Sequence, residues 1–216
     1  MSNPWKDINL TDYENHMALE SVGQLQAMNQ MMKTQLNQYD IQSAMILGIA
    51  GGNGLEHVNP DKLNKVYGVD INAKYLAMTK TRYKALGDTL ECLCVDLTTE
   101  ADKLPKVDML IANLLIEYIG YECFKNVVRA TIPKYVSCII QINVDEGFVS
   151  DSPYLHVFDG LETVHHQMAE QELCTNMDEI NYQLIHTLEY PLPNGKKLVQ
   201  LDFGTKWNYF EATWEK

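Results

Sequence analysis

Five short apolar runs recur along the chain, and they constrain its fold more than any other feature of the sequence. They lie at residues 44–49, 66–69, 90–95, 107–112 and 135–142. A short, uninterrupted apolar run is typical of a strand that is buried on both faces of a parallel sheet. Helical patterns at residues 73–86 and 121–130 separate some of these runs. Because strands alternate with helices, we predict an α/β fold with a doubly wound, mostly parallel sheet.

The end of the chain breaks this alternation. Two runs of alternating polarity, at residues 182–190 and 197–203, flank the dipeptide Asn194-Gly195. Asn-Gly between two such runs is a strong signal for a β-hairpin. We therefore expect the sheet to end in an antiparallel hairpin. The aromatic tail at residues 207–214 is expected to fold back on the domain or to form the contact of a homodimer.

The first forty residues predict a helical cap. Apolar residues recur at helical spacing over residues 10–39, with a possible break at Gly23, so this region forms one long helix or two shorter ones. The length of 216 residues fits one domain. We divide it into the helical cap (1–40), a core sheet (41–143), a lid insertion (144–180) and a terminal hairpin with the tail (181–216).

The charge and composition exclude several classes of function. The formal net charge is −12, and no cluster of lysine or arginine offsets it, so we expect no nucleic-acid partner. No apolar run is long enough to cross a bilayer, and residues 1–17 lack the pattern of a secretory signal, so we expect no membrane association. The five cysteines, an odd number, indicate reduced, buried thiols in a cytoplasmic protein.

A glycine-rich loop follows the first predicted strand, with the sequence Gly-Ile-Ala-Gly-Gly-Asn-Gly from Gly48 to Gly54. Such a loop lets a ligand approach the backbone closely, and a helix that follows it would point free N–H groups at an anionic group. The dinucleotide pattern G-x-G-x-x-G does not fit this loop. If the pattern starts at Gly52, its third glycine position falls on His57, and if it starts at Gly51, its middle glycine position falls on Asn53. A glycine-rich turn without a ligand is the alternative interpretation.

This loop resembles the first motif of the class I S-adenosylmethionine-dependent methyltransferases, whose sheet is Rossmann-like and also ends with an antiparallel strand. Two positions differ from that motif: Gly48 stands in place of the usual acidic residue, and Ala50 in place of the first glycine. The resemblance implies that the core, residues 41–143, binds S-adenosylmethionine. In the loop it assigns this role to Gly48, Ala50, Gly51 and Gly52.

Acidic residues after the second and third predicted strands extend the resemblance. It implies that Asp70, followed by Ile71, holds the ribose hydroxyls, and that Asp96, followed by Leu97, accepts a hydrogen bond from the adenine amino group. A carboxylate suits this task because it accepts several hydrogen bonds at once. Helix N-cap and strand-end cap are the alternative interpretations of the two aspartates. Asn113, after the fourth strand, would lie beneath the cofactor.

Candidate substrate residues come from the predicted cap elements. Tyr13 and His16 share a helix face at i, i+3, while Glu117 and Tyr118 begin the wall of the substrate pocket that the resemblance implies. The insertion at 144–180 adds further candidates: Tyr154, His156, His165 and His166. We expect no metal site there, because His166 and Glu170 lack a third ligand at fixed spacing, and we interpret that region as a solvated helix face.

The resemblance implies methyl transfer from S-adenosylmethionine to an acceptor that the sequence does not identify, and we expect a small molecule. No catalytic residue is assigned. A protein that binds the cofactor without catalysis is the alternative, and Gly48 in place of an acidic residue favours it. A nicotinamide-dependent oxidoreductase fits less well, because the glycine spacing and the terminal hairpin both disagree with it.

Overall fold

The computed structural model describes residues 3–143 and 147–206. Two helices precede the sheet: α1 (Leu10–Ala18) and α2 (Gln24–Gln38). Between them Gly23 adopts a φ of +67°, a conformation that glycine tolerates without steric cost. The predicted cap is therefore two helices, and the break lies at the predicted glycine.

Seven strands form one sheet in the order β3-β2-β1-β4-β5-β7-β6. Neighbouring strands from β3 to β5 are parallel, and β7 runs antiparallel to both β5 and β6. The predicted doubly wound sheet with its terminal hairpin is thus confirmed. The strands are β1 (Ser43–Leu47), β2 (Lys65–Asp70), β3 (Leu90–Cys94), β4 (Met109–Asn113), β5 (Tyr135–Ile142), β6 (Tyr182–Pro191) and β7 (Lys197–Thr205).

Apolar side chains cover both faces of the central strands. In β1, Met45 and Leu47 pack in one core cluster, and Ala44 and Ile46 pack in another on the opposite face. Double-sided burial explains why the strands are continuous apolar runs rather than alternating ones. Three more helices flank the sheet: α3 (Ala73–Arg82), α4 (Ile116–Thr131) and α5 (Glu170–Asp178). Helix α4 begins at Ile116, earlier than the predicted helix at 121–130, and it continues through a kink at Gly120, where φ is +72°.

Two local predictions are wrong. The glycine loop leads only into a three-residue 3₁₀ helix, Leu55–His57, so no helix N-terminus points at a ligand there. Pro60 explains the early stop, because it disfavours helical backbone at the residue before it and lacks an N–H donor. Cys94 is exposed rather than buried, while Cys92 is buried as expected.

No helix within residues 3–143 and 147–206 is long and apolar enough to cross a membrane. The aromatic tail for which we predicted a packing or dimer contact, residues 207–214, lies outside the described residues.

Candidate active site

A cavity opens at the carboxyl ends of β1 to β4. Its volume is about 720 Å³ including its open mouth. Seven of the nine residues predicted to bind the cofactor line it, and Gly51 and Gly52 do not. The seven are Gly48, Ala50, Asp70, Ile71, Asp96, Leu97 and Asn113. We call this space the strand-end cavity.

Asp70 joins the glycine loop to the start of α3. It is 7% exposed, and its Oδ2 accepts a hydrogen bond from the Ala50 N–H at 2.9 Å, while Oδ1 accepts one from the Asn72 N–H at 2.8 Å. Burial raises the pKa of its carboxyl, against the opposing effect of these N–H donors. The N-cap of α3 is Asn72, so the alternative interpretation of Asp70 as the cap is wrong. Each carboxylate oxygen keeps a lone pair for a ligand hydroxyl.

Asp96 follows β3 and is a lining residue of the same cavity. Its Oδ1 accepts hydrogen bonds from the backbone N–H of Thr98 at 3.1 Å and from the Thr98 hydroxyl at 2.6 Å. Asp96 therefore caps the turn after β3, as the alternative interpretation predicted, and also lines the cavity. Ile71 and Leu97 also line the cavity, so it combines two carboxylates with apolar residues.

The glycine loop packs closely against neighbouring side chains. A Cβ on Gly51 would lie 2.0 Å from Glu14 Oε1, and one on Gly52 would lie 2.7 Å from the Tyr83 ring. Ala50 adopts a φ of +47°, which costs an L-residue roughly 1–2 kcal/mol. Gly51 and Gly52 are thus required for packing, while their predicted contact with the cofactor stays a prediction.

Asn113 ends β4 in a buried polar network. Its side-chain amide exchanges two hydrogen bonds of 2.9 Å with Gln35 of α2, and Gln35 also donates to the Ser137 hydroxyl at 2.8 Å. Gln35 is fully buried. Sequence reasoning missed it, because Gln35 lies 78 residues before its partner on a helix that offers several other glutamines.

A second cavity, of about 590 Å³ including its mouth, lies beside the first, and we call it the cap cavity. All four predicted substrate residues, Tyr13, His16, Glu117 and Tyr118, line it. Trp5, Tyr13, Leu114 and Tyr118 line both cavities, so the two spaces share a wall. The other lining residues are Met17, Gln24, Gln141, Asn143, Phe148, Val149, Ser150, Phe158, His165, His166 and Met168.

Glu117 is the acidic residue of the cap cavity. It lies in the first turn of α4, is 5% exposed, and its Oε2 has no hydrogen-bond partner among the described residues. Burial raises the pKa of its carboxyl to about 7, because an apolar environment disfavours the charged form. A carboxyl group with this pKa is suited to proton transfer near neutral pH.

Two of the histidines that line the cap cavity, His16 and His165, pack on aromatic rings. His16 is buried, its Nδ1 lies 2.7 Å from the Ser152 hydroxyl, and its ring centre lies 4.7 Å from that of Phe158. Burial, followed by the charge of Lys196, lowers the pKa of His16. His165 stacks on Phe148 with 3.9 Å between ring centres.

Our interpretation of the His165 region as a solvated helix face is wrong. Helix α5 begins only at Glu170, so His165 and His166 belong to the loop before it and line the cap cavity. Tyr154 and His156, the other candidates from the insertion, line neither cavity.

The N-terminal segment covers both cavities, and sequence reasoning missed its first part. Asn72 donates to the Trp5 carbonyl at 2.9 Å, and the Tyr75 hydroxyl donates to the Ile8 carbonyl at 2.9 Å. Arg82 forms a two-point ion pair with Glu14 of α1, one arm of which measures 2.8 Å. Trp5 lies in a 3₁₀ turn too short for any periodic signal, so only these contacts show that it lines the site.

Comparison with known proteins identifies the fold. No family model and no curated protein matches the sequence. Among solved structures, magnesium protoporphyrin IX methyltransferase (ChlM) from Synechocystis PCC 6803 with bound S-adenosylhomocysteine superposes with a TM-score of 0.68, covering 93% of this chain and 96% of the other at 11% identity. The chain has the class I methyltransferase fold. The N-methyltransferase NodS from Bradyrhizobium japonicum WM9, in complex with the same compound, gives a TM-score of 0.66 at 11% identity, covering 94% and 99%.

A methyltransferase fold does not determine the reaction. The [4+2]-cyclase SpnF superposes with a TM-score of 0.62 at 9% identity, covering 83% of this chain and 80% of the other. At such identities the likeness establishes the fold, and the activity has to be argued from the residues of the two cavities.

Proposed function

We propose that this protein transfers a methyl group from S-adenosylmethionine to a small-molecule acceptor. The observation that carries the proposal is the shared wall: a strand-end cavity lined by two carboxylates lies against the cap cavity. Two ligands bound in these spaces would meet at Tyr13, Leu114 and Tyr118.

The residues of the strand-end cavity fit the cofactor. Asp70 retains acceptor capacity for the ribose hydroxyls, and Asp96 for the adenine amino group. Ile71 and Leu97 supply apolar surface for the adenine ring. When bound, S-adenosylmethionine supplies a methyl group on a positively charged sulfur.

The contribution of the chain is to bind, orient and dehydrate the acceptor. Transfer of a methyl group from a sulfonium is an in-line displacement, for which correct placement of the reactants accounts for much of the rate. The aromatic side chains of the shared wall, Trp5, Tyr13 and Tyr118, suit this role because they exclude water. The acceptor would enter the cap cavity, between α1 and the segment at 147–169.

The first experiment is thermal unfolding of the full chain alone and with S-adenosylmethionine, S-adenosylhomocysteine, NAD or NADP in excess. A ligand at about 100 times its Kd adds about 2.7 kcal/mol, which raises the Tm of a chain of this size by about 5–10 °C. We expect the increase with the two adenosyl sulfur compounds only. An increase with NAD or NADP instead would contradict the proposal and favour an oxidoreductase.

A protein that binds the cofactor without catalysis is the second candidate, favoured by Gly48 in place of the acidic residue usual in the resembling motif. Formation of S-adenosylhomocysteine in the presence of an acceptor separates the two. Cofactor binding without turnover across acceptors of every nucleophile class would favour the second candidate.

A further inference from the structure

Two buried polar atoms without a hydrogen-bond partner belong to residues that line the cap cavity. Only three buried side-chain atoms in the described part of the chain lack a hydrogen-bond partner: Trp5 Nε1, Glu117 Oε2 and Gln200 Oε1. Trp5 and Glu117 both line the cap cavity. A buried polar atom without a partner costs roughly 1–3 kcal/mol, so its persistence calls for a ligand or another specific reason.

The charges around Glu117 favour a cationic ligand. Among the described residues that line the cap cavity there is neither lysine nor arginine. The buried Lys196 lies near enough for its charge to lower the pKa of His16 and His165, and its Nζ donates to the Gly147 carbonyl. The titratable groups that face Glu117 or share its cavity are phenols, a thiol and imidazoles: Tyr13, Tyr118, Tyr121, Cys138, His16, His165 and His166. An anionic acceptor would meet a like charge here, whereas a cation would be attracted.

The walls of the cavity support the same ligand class. The rings of Trp5 and Tyr118 meet edge to face with centres 5.0 Å apart, and Phe148 stacks on His165. Aromatic rings stabilise cations through their negative faces, and Trp and Tyr do so better than Phe. A carboxylate among aromatic rings therefore favours an organic ammonium ion over a neutral or anionic group of the same size.

We propose that the methyl acceptor is a primary or secondary amine, which binds as its ammonium ion to Glu117. This inference rests on the proposed function. One N–H proton of the ammonium passes to the Glu117 carboxylate, and the amine nitrogen regains its lone pair. The nitrogen then forms a bond to the methyl carbon as the carbon–sulfur bond breaks, and the bonding electrons remain on sulfur. The product leaves as the N-methylammonium ion, and Glu117 releases its proton to solvent.

The test compares three probes of similar size: benzylamine, benzyl alcohol and benzoate. Each is titrated by calorimetry at pH 8 into the full chain, with and without saturating S-adenosylhomocysteine. The variants are Glu117→Gln, which keeps the shape of the side chain, and the control Glu122→Gln on the same helix, whose side chain is 81% exposed. S-adenosylhomocysteine itself is titrated into all three proteins.

We expect wild type and Glu122→Gln to bind benzylamine at least about tenfold more tightly than the other two probes. Glu117→Gln loses this preference and keeps its affinity for S-adenosylhomocysteine. In wild type, benzylamine binding strengthens from about pH 6 to pH 8 as Glu117 ionises, and this increase is much smaller in Glu117→Gln, where that carboxyl is absent.

Equal or weaker binding of benzylamine, including no measurable binding, would overturn the inference, as would an unchanged preference in Glu117→Gln. Either result with intact binding of S-adenosylhomocysteine leaves the proposed function standing. Failure of S-adenosylhomocysteine to bind wild type would instead refute the proposed function.

Discussion

The strand-end cavity and the cap cavity satisfy their polar groups in different ways. In the first, the carboxylates of Asp70 and Asp96 and the amide of Asn113 already have partners within the protein. In the second, Glu117 keeps an unpartnered Oε2, and Trp5, which lines both cavities, keeps an unpartnered Nε1. The first cavity is thus rigidly preorganised, which suits a cofactor that is bound in every cycle. The second keeps unsatisfied groups that a ligand would complete.

The largest effect is expected from Asp70→Ala, which tests the strand-end cavity. Loss of the buried carboxylate removes a ligand contact and leaves the Ala50 N–H without its acceptor, so we expect affinity for S-adenosylhomocysteine to fall at least about 100-fold, or about 3 kcal/mol. Calorimetry measures the affinity, and Asp61→Ala, at an exposed position, serves as the control. Unchanged affinity in Asp70→Ala would remove Asp70 from the cofactor site.

The second-largest effect is expected from Glu117→Gln, which tests the cap cavity through the pH dependence of protein stability. The pKa of Glu117 is about 7 in the folded protein, against 4.5 for the ordinary group. A carboxyl with a raised pKa stabilises the fold below its unfolded pKa, and this stabilisation is lost as pH rises to the folded pKa. Relative to Glu117→Gln, wild type should therefore lose about 3 kcal/mol of unfolding free energy between about pH 4.5 and pH 8.

Urea denaturation across this pH range measures the difference, and Glu122→Gln should follow the wild-type curve. Parallel curves for wild type and Glu117→Gln would show that Glu117 is not an unsatisfied group, and the contrast between the two cavities would disappear.

A smaller effect is expected from Gln35→Leu beneath the strand-end cavity. The substitution leaves the Asn113 amide and the Ser137 hydroxyl with fewer partners, which should cost about 1–3 kcal/mol of unfolding free energy. Gln30→Leu, at an exposed position of the same helix, should change stability by less than about 0.5 kcal/mol. Equal effects of the two substitutions in urea denaturation would mean that the network does not stabilise this cavity.

The smallest effect concerns the ion pair between Glu14 and Arg82, which joins the cap to α3. Their side chains are 22% and 39% exposed, and such pairs contribute at most about 1 kcal/mol. A double-mutant cycle of Glu14→Gln and Arg82→Gln should give a coupling energy below this value, reduced further in 1 M salt. A coupling energy above about 1 kcal/mol that 1 M salt does not reduce would contradict this prediction. The ion pair would then contribute to stability in the way expected of the buried network at the strand-end cavity.

Local patterns in the sequence predicted most of the fold and most of the residues that line the strand-end cavity. The uninterrupted apolar runs required strands buried on both faces, and Asn194-Gly195 required a turn, in which Gly195 adopts a φ of +83°. Asp70 is the last residue of β2 and Asp96 follows β3; these strands lie side by side in parallel, and ligands bind at the carboxyl ends of such strands. These features depend on residues close together in the chain, so periodicity and spacing reveal them.

Only the tertiary structure decided the rest. The pairing of Gln35 with Asn113, the position of Trp5 in both cavities and the stacking of His165 on Phe148 leave no periodic signal in the sequence. The raised pKa of Glu117 likewise follows from burial beneath the cap and the segment at 147–169, and residue order does not specify that burial. Packing between distant segments decides which polar groups lose water and which gain a partner, and that packing exists only once the chain has folded.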